Sequence, residues 1–235
     1  MNAEPLLLDV ADGIATITIN RPEKRNAMSL DMWLAMSKFV TAAASERSVL
    51  TIVLRGVDST AFAAGADIEE MLRIADSEDE RWKLMNAVRS AEQSLSDCPK
   101  PVIAMISGIC IGGGVELALG CDLRFAARTA RFAIPPAKLG LVYSLSSTKH
   151  LIDLVGLGRA RDLLYSARSF DSSEALRIGF VERVFDDADI ERETVAYARI
   201  LAERSQYSIR AAKTVSAAAL AGGTDEDEPI RGIRG

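Results

Sequence analysis

The 235-residue sequence holds very little metal-binding or disulfide chemistry. It has one histidine, His150, and three cysteines, Cys98, Cys110 and Cys121, with no CxxC spacing among them. That excludes a His/Cys metal site and an oxidised scaffold, and a reducing cytoplasm is the expected location. It also lacks an excess of positive charge. The 28 basic and 33 acidic residues give a net charge of −5, so a polybasic nucleic-acid binder is excluded. The start, MNAEPLLLDVADG, has no basic segment and only a three-leucine apolar run, so no secretory signal is expected there. One stretch, residues 101–121, has the length of a membrane span. Three consecutive glycines and Glu116 interrupt it and Asp122 follows at once, so it reads as buried strand, loop and buried helix. No membrane partner is expected.

What is present is ordinary globular material. Apolar residues make up 49% and charged residues 26%, in a chain long enough to bury a large core unaided. Residues 6–10 and 14–19 read as strands joined by an Asp12-Gly13 hairpin turn. Ser29 can cap a helix that places Trp33, Met36, Val40 and Ala43 on one face. Residues 50–54 form a short β run and 66–74 a helical one. Residues 78–95 form a long amphipathic helix carrying Leu84, Val88, Ala91 and Leu95 in line, ended by Cys98-Pro99. After the unit at 101–121, residues 123–126 read as a strand and 132–136 as an extended piece. Helices then dominate, with one strand at 181–185, and the tail TDEDEPIRGIRG is expected to fray. Alternating strands and helices predict an α/β core, with the helical final third as a subdomain or an oligomer contact.

Several features can carry chemistry. Gly112-Gly113-Gly114 follows a strand and opens a helix, where backbone N–H groups lack helical partners and can hold an anion or a developing oxyanion. Leu117 breaks a GxGxxG fingerprint and no GK[ST] follows, so neither a dinucleotide site nor a P-loop is present. Residues 62–68, FAAGADI, are small residues running into a second helix start. Glu116 is a carboxylate in an apolar stretch, costly to bury unless it is paired or functional, with helix capping as the plain alternative. Arg124, Arg128 and Arg131 read as solvated, and His150 as a surface or lightly packed side chain.

Four stretches in order, ITINRPEKRNAMS (17–29), AFAAGADIEEM (61–71), PVIAMISGICIGGGVELALGCDLRFAA (101–127) and RFAIPPAKLGL (131–141), resemble the crotonase superfamily, also called the enoyl-CoA hydratase/isomerase family. RIGFVERVF (177–185) adds a weaker fifth, and the match spans roughly residues 6–220. The resemblance implies an α/β fold built as a spiral of ββα units with a helical C-terminal region. Residues 1–185 would form the acyl-CoA-binding core, 186–221 the helical region and 222–235 a polar tail expected to be disordered. It implies an acyl-CoA thioester as ligand, assembly as a homotrimer or dimer of trimers, and no cofactor beyond the coenzyme A of the substrate. Ala66 and Gly113 match the two oxyanion-hole positions. Lys24, Arg25, Ala64 and Ile68 match positions that contact coenzyme A.

Glu116 matches the first of two glutamates that hydratases of the family use, and is the leading acid/base. Pro136 stands at the second, which argues against ordinary hydration, because adding water needs one proton removed and one delivered. The segment LGLVYSL (139–145) resembles methylmalonyl-CoA decarboxylases of the superfamily and makes Tyr143 a second candidate catalytic residue. Loss of carbon dioxide itself generates the enolate and needs no base. A single carboxylate also suits double-bond isomerisation. A non-catalytic acyl-CoA-binding protein is the alternative from a different class, and Pro136 and the short polar tail both fit it.

Overall fold

The structure is a computed structural model that describes residues 4–228 and 230–233. Strands β1 (Leu6–Ala11) and β2 (Ile14–Ile19) form an antiparallel hairpin. Its turn residues Asp12 and Gly13 both have positive φ, as a tight two-residue hairpin loop requires. Ser29 accepts a hydrogen bond from the Met32 N–H and so caps α1 (Leu30–Ser45), whose Trp33, Met36, Val40 and Ala43 are buried as their spacing predicts.

A unit then repeats three times: a strand in a large sheet, a short strand in a small sheet, then helix. It runs as β3 (Thr51–Gly56), β4 (Ala61–Ala63), α2 (Ile68–Arg73) and α3 (Glu78–Ser96). It repeats as β5 (Val102–Ile106), β6 (Ile109–Ile111) and α4 (Gly113–Gly120). The third turn is β7 (Leu123–Ala127), β8 (Arg131–Ala133) and α5 (Pro136–Leu139). Helices α6 (Leu145–Val155) and α7 (Leu157–Ser166), β9 (Ser169–Asp171), α8 (Ser172–Ile178) and β10 (Arg183–Phe185) follow. Helices α9 (Ile190–Ala202), α10 (Gln206–Leu220) and α11 (Ile230–Ile233) end the described chain. The large sheet has the order β1-β2-β3-β5-β7-β10, and the small one β4-β6-β8-β9. All neighbours are parallel except β1/β2 and β8/β9.

The large sheet is covered on both faces, so β5 is apolar throughout. Its Val102, Ala104 and Ile106 point into the main core with α1 and α3. The alternate residues Ile103 and Met105 join Phe125, Ile190 and Ala198 under α9. The first helix of the 186–221 region is thus the second cover of the sheet. α10 buries none of its residues.

Four expectations change. Residues 58–65, expected as a loop, hold β4, the stretch after residue 106 holds an extra strand, β6, between strand and glycine turn, and β9 was likewise not foreseen; all three are three residues long. Pro136 does not continue an extended piece but opens α5, where its missing N–H is harmless. Arg124 is buried, not solvated. Its guanidinium donates to the carbonyls of Phe180, Ala118 and Cys121 and pairs with Glu182, so it closes the C-terminal end of α4. The tail carries the helical turn α11 with Ile230 buried; Pro229 and residues 234–235 of that tail, and residues 1–3 of the start, lie outside the described residues. Among the described residues no helix is long and apolar enough to cross a membrane.

Candidate active site

Two chain crossings meet at the centre of the molecule. The first is the loop from β4 to α2. Gly65 has φ +99°, and a Cβ there would sit 2.9 Å from the Ile111 carbonyl oxygen and 3.2 Å from the Gly113 nitrogen. Only glycine allows that approach. The second is the β6-to-α4 turn, where a Cβ on Gly113 would lie 3.5 Å from the Ala66 nitrogen. The structure therefore brings the Ala66 and Gly113 N–H groups side by side. Among the described residues neither has an acceptor. Gly113 is the first residue of α4, so its N–H is one of those a helix leaves unpaired, and the positive end of the helix dipole adds to it.

Both peptides are held from their carbonyl side. The Gly65 carbonyl, in the same peptide as the Ala66 N–H, accepts from Met28 N–H at 2.7 Å. The Asp67 N–H returns a bond to Met28 at 2.9 Å, making a parallel bridge between Met28 and Ala66. Asp67 caps α2, and Arg21 Nη1 binds its Oδ2 at 2.7 Å. Burial opposes ionisation of Asp67, but the Arg21 and helix N–H hydrogen bonds outweigh it, and the pKa falls below the usual value. The Gly112 carbonyl, in the same peptide as the Gly113 N–H, accepts from the Tyr143 hydroxyl at 2.8 Å and from Val115 and Glu116 N–H. A peptide's C=O and N–H point opposite ways, so fixing the oxygen aims the hydrogen. Tyr143 is buried, and burial first, then nearby Glu116, pushes its pKa well up. Its hydroxyl proton is engaged on the backbone. Behind Gly113 lies Trp33, whose ring would meet an added Cβ at 2.8 Å.

Glu116 lies in the first turn of α4, half-buried. Burial first, and the charge of Glu92 second, push its pKa up to about 8. Among the described residues no hydrogen bond supports the charged form. Both causes favour the neutral acid. Glu92, on α3, is a second buried carboxylate that the sequence did not single out. Its only signal was an acid at position 92, four after Val88, inside the apolar stripe of α3.

The residues matched to coenzyme A contacts gather on one rim. Ala64 N–H donates to the Arg25 carbonyl at 3.0 Å, and Lys24 Nζ pairs with Glu69 at 2.7 Å, beside exposed Ile68. Arg25 is itself exposed, with φ 51°. His150, half-buried on α6, makes no bond to these groups; burial lowers its pKa. Among the described residues no His, Cys, Asp and Glu cluster can hold a metal ion.

Two neighbouring backbone N–H groups without acceptors, beside one buried carboxyl group, are a candidate cradle for a carbonyl oxygen. The sequence matches the enoyl-CoA hydratase/isomerase family over residues 9–227, and the chain belongs to that family. It is 31% identical over 213 residues to the short-chain-enoyl-CoA hydratase of Clostridium acetobutylicum, covering 91% of this chain and 81% of that one. It is 32% identical to the crotonyl-CoA hydratase of Syntrophomonas wolfei, covering 92% and 82%. A solved enoyl-CoA hydratase/isomerase family protein from Hyphomonas neptunium superimposes with a TM-score of 0.95 at 38% identity, over 98% of this chain and 88% of that one. The fold is the ββα spiral with a helical C-terminal region, and the protein is an acyl-CoA enzyme of this family.

Proposed function

We propose that this enzyme stabilises the enolate of an acyl-CoA thioester between the Ala66 and Gly113 N–H groups and protonates it from Glu116. Lys24, Arg25, Ala64 and Ile68 form the rim that receives the coenzyme A part. An enolate carries its charge on the thioester oxygen, whereas the ground-state carbonyl is neutral. Preoriented donors therefore favour the transition state over the substrate. The reaction that suits the site best is decarboxylation of a 2-carboxyacyl-CoA. The C–CO2 bond breaks, its electron pair becomes the enolate, carbon dioxide leaves, and the Glu116 proton goes to C2.

What carries this reading is the burial of Glu116 in the first turn of α4, which with the charge of Glu92 raises its pKa to about 8, with Pro136, which has no titratable group, opening α5. Such a site delivers a proton but is badly placed to remove one. A second reading, hydration of a 2-enoyl-CoA, is favoured by the names of the relatives. It would need Glu116 both to orient water and to protonate C2.

Mass spectrometry in D2O separates the two. The pure protein is given a malonyl-type and a 2-enoyl thioester. The expected result is loss of carbon dioxide with one deuterium gained at C2. Gain of D2O by the enoyl thioester at catalytic rate, with the malonyl-type thioester untouched, would establish hydration instead.

A further inference from the structure

Glu92 has no part in the chemistry above, yet it is only 2% exposed. A buried carboxylate is expensive unless its oxygens are satisfied. Here the partners are hydroxyls, with no ion pair among those described. Ser147 Oγ donates to Glu92 Oε1, and Ser144 Oγ lies 3.2 Å from Oε2. Ser144 Oγ is also 2.9 Å from Ser147 Oγ and caps α6. Whichever way the Ser144 proton turns, the Ser147 proton is directed at Glu92. Burial raises the Glu92 pKa, and the Ser147 and Ser144 hydroxyls, with the charge of Arg89, pull it back towards the ionised form.

Glu116 lies on the side of α4 that rests on the helix carrying Glu92. An added Cβ on Gly120 of α4 would lie 3.1 Å from the Glu92 carbonyl oxygen and 3.1 Å from Leu95 Cβ, so that face of α4 rests on α3. Glu116 lies four residues before Gly120, one turn along the same face. The other groups packed around α4 include Cys121 at its C-terminal end, a buried thiol that donates to the Leu117 carbonyl and whose pKa burial pushes up to about 12. From α3 there is also Arg89, which is exposed. From α6 and the residues before it come Ser144, Ser147, half-buried His150 and Tyr143. From β6 comes Cys110, a thiol whose pKa burial pushes up. From β7 comes Arg124, whose guanidinium is taken up by carbonyls and Glu182. β4 contributes no titratable side chain. After burial, Glu92 is the one group that acts on Glu116.

Two buried carboxyl groups that act on one another do not both ionise readily. Glu92 has hydroxyl donors and Glu116 has none, so the single negative charge settles on Glu92 and the proton on Glu116. We propose that Glu92 is a positioning residue: its buried carboxylate, anchored by Ser144 and Ser147 against the back of α4, keeps Glu116 in its proton-donating form. The consequence rests on the reading that Glu116 delivers the proton to the enolate. It also makes a raised rather than ordinary acid the built state of the site.

The test needs no turnover. Glutamate carboxyl carbons are labelled with 13C, and the Glu116 resonance, assigned with Glu116→Gln, is followed against pH in the substrate-free protein. It is expected to titrate near pH 8, with a small second inflection at lower pH where Glu92 ionises, as coupled groups show. In Glu92→Gln the inflection disappears and the Glu116 midpoint falls by about one pH unit. The alkaline limb of the rate profile moves with it. An unmoved midpoint in folded Glu92→Gln overturns the proposal. If that variant does not fold, the unaltered protein decides, and a Glu116 curve with no second inflection overturns it. Loss of the proton-donor reading through kinetics of Glu116→Gln would leave this titration result standing, so the two failures are distinguishable.

Discussion

The two arms of the proposed oxyanion cradle are built differently. The Ala66 arm is held as a strand would be, by paired backbone bonds with Met28, and by the Arg21–Asp67 pair nearer the surface. The Gly113 arm is deeper. It is held by the Tyr143 hydroxyl on the Gly112 carbonyl, by the first turn of α4 and by the Trp33 ring. The lesson is that side-chain substitution can reach the second arm more directly than the first. One hydroxyl and one ring aim the Gly113 N–H, whereas main chain aims the Ala66 N–H.

The predictions run from the change that should break this comparison to the one that barely touches it. Glu116→Gln removes the proposed proton source beside both arms, so kcat should fall by about 10² to 10⁴ with coenzyme A binding retained, measured by steady-state kinetics and calorimetry. The same substitution should stabilise the protein at high pH. Glu116 has a folded pKa raised to about 8, so its contribution is full below the unfolded value near 4.5 and is lost as pH rises through the folded one. The Gln variant escapes that loss, and thermal melts should show a gain at pH 8 that vanishes at pH 4.

Gly113→Ala forces a methyl to 2.8 Å from Trp33. It should cost about 10²-fold in kcat, the scale of one lost oxyanion donor. Adding Trp33→Phe should recover part of that loss if the ring is what displaces the arm. Tyr143→Phe leaves the Gly112 carbonyl with its Val115 and Glu116 donors. A loss in kcat of about tenfold is expected, with KM steady and about 1 kcal/mol of stability lost in denaturant titration. Asp67→Ala deletes a helix cap and the Arg21 pair but not the Met28 bridge. It should cost about 1 kcal/mol of stability and leave kcat within a few-fold.

Much of this site was legible in the sequence because its signals are local. The strand–GGG–helix unit shows where N–H groups are left over, and the FAAGADI stretch shows a second such place. That the two meet is a fact of the ββα spiral, which the resemblance to the family supplied. The parts that were not legible depend on distant partners. Glu92 meets Ser144 and Ser147 more than fifty residues away. Arg124 looked like a solvated charge because the carbonyl of Phe180, 56 residues on, is invisible in a local pattern. Strands β6 and β9 are three residues each, too short for alternation to show, and exist because the small sheet pairs them.

The central claim is that the Ala66 and Gly113 N–H groups polarise a thioester carbonyl. Infrared difference spectroscopy of a bound, unreactive acyl-CoA with 13C at the thioester carbonyl measures this directly. The band is expected at lower frequency than in free solution, with the shift reduced in Tyr143→Phe, where the Gly113 arm is loosened. A bound thioester whose band stays at its solution position would contradict the account.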